Sequence, residues 1–342
     1  MIHSSNKKKI RRKVLSIVAK STTLTLIYAL LSKQFWREIN TVVQGINQYY
    51  KDRDDRQQTT SPLLRRNIHR IEKGLIMTPP RPIFALDYIE ETIQEYTKCV
   101  ATNEFDPVEL KWAYDVLNQY FIKVKRTPLT NAMNSIFSQA STNMDIDSSA
   151  DFSPLKVNIN KASIDPKEFK KLCENRFSTR HFLAKKVPRE IIEQVINIAG
   201  TAPSACNRQP YRFHLASDDI TCSSISKLAM GTQGYRDHIH NLFVVTASSS
   251  YYEFERDRHI IYIDSSLATM QLVLALESFG LASCIINWPD IEEREQNLSL
   301  TLNLAPHERA IMLVAFGYPD ENAKTPYSAK LDSKTLLKDI NK

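Results

Sequence analysis

Two short segments, one helix apart, constrain this chain more than anything else in it: Arg176-Phe-Ser-Thr-Arg180 and Ala202-Pro-Ser-Ala-Cys-Asn-Arg-Gln-Pro210. The first sets two guanidinium groups and a hydroxyl within five residues, a donor set suited to a phosphate and its neighbouring hydroxyls. The second is a Pro-punctuated loop of small and amide residues, through which backbone and amide groups can approach a flat ring. Taken singly, the arginines fit surface ion pairing and Asn207 fits loop capping. Taken together, the segments ask the fold to present a phosphate-bearing cofactor site. The chain has only seven glycines, none in a Gly-x-Gly-x-x-Gly or Walker loop, which argues against a dinucleotide fold or P-loop. Gly-x-Ser-x-Gly and His-Glu-x-x-His are also missing, so hydrolase and zinc-protease chemistry has no anchor. His238 and His240 read as surface residues, and Cys206 as a small packing residue within its loop.

The elements around these segments can be read from pattern. Asp165-Pro166 is an N-cap and N1 pair that opens a helix running through Leu172. Val187–Ala199 carries Ile191, Ile192, Val195 and Ile196 on one face, and Gly200 stops it. Tyr211–Leu215 alternates like a half-buried strand, and Ser283–Asn287 is a second strand. Leu242–Thr246 and Ile311–Phe316 are continuous apolar runs expected as buried central strands. Asp264 is expected to cap a helix over Ser265–Ser278 that is apolar nearly all round, a helix to be buried from every side or at a subunit interface.

The two segments resemble the nitroreductase family of FMN-dependent oxidoreductases. There Arg-x-Ser-x-Arg opens the domain, and a Pro-Ser-x-x-Asn-x-Gln-Pro-aromatic loop follows the next helix; the aromatic here is Tyr211. The resemblance continues through Asp264–Leu272, Phe279–Trp288 and Ala315–Pro319 and ends near Ser328–Lys330, covering roughly residues 165–342 in order. It implies an α+β fold with a mixed, mainly antiparallel sheet flanked by helices, and an intertwined homodimer with flavin at the interface. It further implies that Arg176, Ser178 and Arg180, joined by Lys330, hold the FMN phosphate and ribityl chain. Pro203, Ser204, Ala205, Asn207 and Gln209 would contact the isoalloxazine from the opposite subunit, with the backbone of Ile286 and Asn287 beside the ring. No side chain is named as catalytic, because flavin N5 would carry the chemistry. Where the family often has small residues, this chain has Ser265-Ser266 and Ala282, which puts the size of the substrate cavity in question.

The amino-terminal third reads differently. The formal charge of +7 resides in a tail: residues 1–37 hold nine Lys and Arg and no acid, and the rest holds 36 basic against 38 acidic residues. The tail lacks interleaved aromatics, so nucleic acid is not its expected partner. Its longest uncharged stretch, Ser21–Ser32, has 12 residues, short of the roughly 20 needed to span a bilayer. From Leu24 to Ile46 an apolar stripe at helical spacing fits a helix docked on its own domain, or peripheral contact of residues 7–46 with an anionic membrane surface. Residues 1–50 are thus a basic amphipathic helical segment and 51–126 a helical extension with Gly74 as a C-cap. The Ser/Asn/Thr/Asp-rich stretch 127–160 reads as a linker or mobile loop, and 161–342 as the FMN-binding domain. The string His69-Arg-Ile-Glu-Lys-Gly-Leu75 resembles an extension found in a nitroreductase-like subgroup among polysaccharide-biosynthesis proteins, while His69 and Glu72 also fit a surface helix pair.

Five dispersed cysteines without Cys-x-x-Cys point to a reducing compartment and no zinc site, hence a cytoplasmic protein, or one peripheral at the inner face of the membrane. The expected function is electron transfer from NADH or NADPH through bound FMN to a small acceptor. The alternatives are a flavin enzyme that does not use nicotinamide, and a membrane-associated assembly factor that keeps the fold without catalysis.

Overall fold

A computed structural model of the chain describes residues 2–54, 58–142, 144, 150–154 and 163–340. Helices α1 (Ile2–Val18), α2 (Thr22–Leu31) and α3 (Trp36–Asp54) lead into α4 (Pro62–Leu75), α5 (Ile89–Ala101), α6 (Pro107–Lys123) and α7 (Pro128–Ser141). After α8 (Pro166–Asn175) and α9 (Arg189–Gly200) come β1 (Tyr211–Ala216), α10 (Asp219–Leu228), β2 (Leu242–Ser248) and α11 (Ile260–Ser278). The chain closes with β3 (Ala282–Asn287), α12 (Glu292–Leu302), β4 (Glu308–Gly317) and α13 (Ser333–Leu336).

The four strands pair antiparallel in the order β1-β2-β4-β3, so the two continuous apolar runs occupy the centre of the sheet. Every residue of β2 is buried. Alternation along the strands divides the core. Leu242, Val244, Leu313 and Ala315 face one side and pack with Ile225 of α10 and Leu298 of α12. Phe243, Val245, Val314 and Phe316 face the other and meet Val195 of α9 and Leu272, Val273 and Leu276 of α11. Phe243 and Phe316 stack at 4.6 Å across neighbouring strands. Each such side chain contributes roughly 1.5–3 kcal/mol of apolar burial, so this sandwich holds the site's scaffold rigid. The parallel element is a single bridge from Ser178 to Ser283, which attaches the segment after α8 to β3.

Helix α11 starts five residues before the expected Ser265, and His259, not Asp264, stands at its N-cap position. Glu255–Ser278 is long and apolar enough to cross a bilayer, yet half of it is buried against the sheet and α9, as a core helix is. Ile263, Leu267 and Met270 remain exposed on its outer side.

The extension has a core of its own, in which Leu64, Ile68 and Ile71 of α4 meet Ile93, Tyr96, Leu117, Tyr120 and Phe137. Helix α7 overturns the expectation of a linker for its part of residues 127–160. Thr127 and Thr130 form a capping box with Pro128 at the first helical position, and Met133 and Phe137 turn inward. The polar composition of that stretch belongs to its solvated face; positions 143, 145–149 and 155–160 of the expected linker lie outside the described residues. Gly74 is also not a C-cap. It lies inside α4, where a Cβ would come within 2.2 Å of the Phe84 ring, so close approach rather than termination explains it.

The stripe over Leu24–Ile46 breaks at Ser32–Phe35 into two helices with different fates. No residue of α2 is buried, whereas α3 buries Thr41, Gly45 and Tyr49. The Ser249 hydroxyl donates to the Thr41 carbonyl or that of His307, both at 2.9 Å, so α3 docks on the turn after β2. A Cβ at Gly45 would lie 2.2 Å from the Ser249 hydroxyl and 2.7 Å from its carbonyl carbon. Gly45→Ala must displace that turn and should destabilise the protein by about 1–3 kcal/mol, read as a lower thermal midpoint. An unchanged midpoint would mean that α3 is not seated there.

Candidate functional site

The expected phosphate grip starts where α8 stops. Asp165 caps that helix, Pro166 sits at its first position, and Arg176 follows its last residue. The chain then runs along β3: Ser178 pairs with Ser283, and the Thr179 amide donates to the Ser283 carbonyl at 3.0 Å. Arg180 donates to the Ser178 carbonyl at 3.1 Å, and its guanidinium lies 5.6 Å from the Tyr235 ring centre. Both arginines are half-buried, and neither forms an ion pair among the described residues, which removes surface pairing as the reason for their presence. Their field is felt nearby: burial pushes the Cys284 thiol up, and Arg180 and Arg176 oppose that rise. Arg176 likewise opposes the upward push of burial on the Glu277 carboxyl. On β3, the Ile286 side chain is buried in the core and Asn287 is exposed, so Ile286 offers only backbone to a ligand. Lys330 lies exposed in the carboxyl-terminal segment, with no contact to either arginine among the described residues.

The second segment leads into β1, at the other edge of the sheet. Cys206, Asn207 and Gln209 have φ of 54°, 53° and 49°, left-handed backbone in three non-glycine residues of one loop. Such conformations cost of order 1 kcal/mol or more each and persist only where the surroundings impose them. The surroundings here are explicit. The Ala205 amide donates to Asp264 at 3.0 Å, and the Tyr252 hydroxyl donates to the same carboxylate oxygen at 3.0 Å. The Gln209 amide nitrogen donates to the Gly200 carbonyl at 2.7 Å, and its backbone N–H to the Ser204 hydroxyl at 3.1 Å. Arg208 is only 6% exposed, donates to the Ala205 and Tyr251 carbonyls, and stacks 4.3 Å above Tyr252. Pro203 is exposed, and the Asn207 side chain has no hydrogen-bond partner among the described residues.

The bracing residue that the sequence reading missed is Arg65 of α4. It donates to the Asn207 carbonyl at 2.7 Å and to the Gln209 side-chain oxygen at 3.0 Å. Its third bond goes to Glu109, also at 3.0 Å. Glu109 is 1% exposed and accepts the Ser61 amide; burial pushes its carboxyl up and Arg65 opposes the shift. A buried carboxylate in the extension thus holds the arginine that holds the loop. No local pattern marks Arg65, whose neighbours Leu64 and Ile68 are core residues. Asp264 was misread as a helix cap because its role lies 59 residues away, on Ala205.

Arg65→Lys keeps a cation for Glu109 but loses the fork that spans Asn207 and Gln209. The variant should melt within a few degrees of the parent and bind FMN about tenfold more weakly in a fluorescence titration. Equal affinity would show that the loop holds its shape without the fork.

Comparison with known proteins points the same way. Residues 173–247 and 233–318 match the model of the nitroreductase family, and the match contains both segments. Over those residues this chain is similar to the nitroreductase family. This chain is 26% identical over 188 residues to iodotyrosine deiodinase 1 of Pongo abelii, covering 47% of this chain and 64% of that protein. It is 24% identical over 152 residues to a provisionally named NADH dehydrogenase/NAD(P)H nitroreductase of Methanothermobacter thermautotrophicus, covering 44% of this chain and 78% of that one. Among solved structures, an FMN-dependent nitroreductase from Clostridium difficile R20291 superposes with a TM-score of 0.43 at 19% identity, over 50% of this chain and 98% of that one. The chain therefore spans under two thirds of the length of the deiodinase it matches. The sheet, helices and amino-terminal helical extension agree with the expected α+β class.

Proposed function

We propose that the protein is an FMN-dependent oxidoreductase that passes electrons from NADH or NADPH to a small acceptor. The observation that carries this reading is the pair of arginines beside β3, which present two guanidinium groups with no carboxylate within ion-pair distance among the described residues. That donor set fits the FMN phosphate: each planar fork can donate two hydrogen bonds to phosphate oxygens. Arg176 and Arg180 would hold the phosphate, Ser178 the adjoining ribityl hydroxyls, and Lys330 would join them from the carboxyl-terminal segment. Pro203, Ser204, Ala205 and Asn207 would line the flat face of the cofactor. Gln209, whose amide bonds Arg65 and Gly200, would brace that wall. When bound, FMN would supply the centre that accepts and returns a hydride equivalent.

Within one chain the two halves of this site flank opposite edges of a four-stranded sheet, three inter-strand spacings or about 14 Å apart. This separation supports a homodimer in which one chain supplies the arginines and its partner the loop. The exposed Ile263, Leu267 and Met270 of α11 support the same arrangement, because they need cover. The His69–Leu75 string supports placing the acceptor in polysaccharide biosynthesis. Anaerobic addition of NADH or NADPH should bleach the bound flavin; flavin that stays oxidised would favour an enzyme that does not use nicotinamide.

A second contact is supported by α2, where Leu26, Leu30 and Leu31 are 60%, 69% and 78% exposed. Arg11, Arg12 and Lys13 of the preceding helix are exposed as well. Together they support peripheral attachment to an anionic membrane surface, at the inner face in a cytoplasmic protein. The chain should sediment with phosphatidylserine vesicles, and Leu26→Glu with Leu30→Glu should leave it in the supernatant. Equal sedimentation of both would refute the contact.

A further inference from the structure

A cavity of about 390 Å³ lies between α4 and two turns of the nitroreductase-like domain, residues 205–208 and 253–257. Its lining includes Arg66, Arg70, Lys73, Arg208 and Arg256, and also Cys206 from the loop assigned to the flavin face. Two carboxylates, Glu253 and Asp257, oppose these five cations. Glu253 is already committed, to Arg66 at 2.6 Å and to the Tyr50 hydroxyl at 3.3 Å. Arg70 lies 3.7 Å from Asp87 and stacks on Tyr88.

The remaining cations have no such partner. Lys73 and Arg256 are exposed and form no ion pair among the described residues. Arg208 is the more telling case, because it is 6% exposed and has no carboxylate within ion-pair distance among the described residues. It donates from Nε to the Ala205 carbonyl and from Nη1 to the Tyr251 carbonyl, which leaves Nη2 without a protein acceptor among the described residues. The Asp264 carboxyl, which burial pushes up and Arg208 draws down, meets part of this charge, and a buried guanidinium is costly unless its charge is met in full. Low-dielectric walls lined by one sign of charge concentrate the field on whatever enters.

We propose that this cavity binds the phosphate-type oxyanion of the acceptor that the flavin reduces, so that the physiological acceptor is a phosphorylated small molecule. The helical extension is then part of the substrate site, because α4 supplies three of the five cations. Placement beside Cys206 sets the anion next to the loop that would face the flavin, with the reducible part of the molecule directed to the ring. This assignment rests on the flavin reading above, so the experiment separates the two.

The first arm is calorimetric titration of the full chain, in the presence of excess FMN, with inorganic pyrophosphate. One binding event per chain is expected, and Lys73→Gln combined with Arg256→Gln should weaken it by about tenfold or more. Failure of the parent to bind, or equal binding by the variant, overturns the proposal whether or not flavin is present. The second arm compares reduction of 4-nitrobenzyl phosphate with that of 4-nitrobenzyl alcohol. The parent should prefer the phosphate, and the ratio of the two kcat/KM values should fall about tenfold in the variant. A ratio that does not move overturns the acceptor assignment, as does a rise in the KM for NADH or NADPH in place of the change in ratio. Pyrophosphate binding by a protein that takes up no FMN would retain the anion cavity and remove the flavin reading beneath it.

Discussion

Replacing Arg176 and Arg180 together by alanine should strip the protein of FMN. Charge-assisted hydrogen bonds from an arginine to a phosphate are worth about 1.5–3 kcal/mol each, so losing both arginines weakens binding by roughly 10²- to 10⁴-fold. Desalting would then leave colourless protein, read as the ratio of flavin to protein absorbance. The fold should not suffer, because neither side chain closes an ion pair among the described residues. Arg180 donates to the Ser178 carbonyl and lies beside Tyr235. The thermal midpoint of the FMN-free variant should accordingly match that of the FMN-free parent. Unchanged flavin occupancy would move the phosphate away from this segment.

Glu295→Ala should produce the largest loss of stability. Glu295 of α12 is 2% exposed and accepts Arg309 of β4 at 3.1 Å and the Trp288 indole N–H at 2.9 Å. Arg309 is itself 3% exposed, and its Nε and Nη1 have no hydrogen-bond partner among the described residues. Burial pushes the Glu295 carboxyl up, and Arg309 and then Trp288 oppose it. Removing the carboxylate leaves Arg309 with Asp290 alone, whose side chain is 44% exposed, and strands the indole donor. Breaking one partner out of a buried pair costs about 3–5 kcal/mol, which lowers the melting midpoint by about 10 °C. Glu295→Gln, which can still accept both bonds, should lose distinctly less. A loss below about 1 kcal/mol for the alanine variant would show that water reaches the pair. The consequence for function is indirect: this network anchors the turn after Asn287, at the end of the strand beside which Arg176–Arg180 runs.

Much of the nitroreductase-like domain was legible in the sequence because its signals are local. Leu242–Thr246 and Ile311–Phe316 are central strands because a strand covered on both faces needs no polar alternation. Gly280, at φ 71°, ends α11 as a glycine at that position should. The misreadings share a cause. Gly74 and Asp264 look like punctuation, yet one admits the Phe84 ring and the other holds Ala205 and Tyr252. In α7, composition masked periodicity: Met133 and Phe137 recur four apart within a polar stretch. Arg65 was illegible altogether, because its meaning depends on Asn207 and Gln209, more than 140 positions on. The proposed phosphate grip could be found as a motif, while the bracing of residues 203–210 could be found only in three dimensions.

The central claim is that Arg176–Arg180 and Pro203–Pro210 hold FMN, and the most direct measurement is the flavin content of the purified full chain. After incubation with excess FMN and removal of free cofactor, the protein should be yellow and release about one FMN per chain on denaturation. Colourless protein that retains no FMN after that incubation would contradict the account.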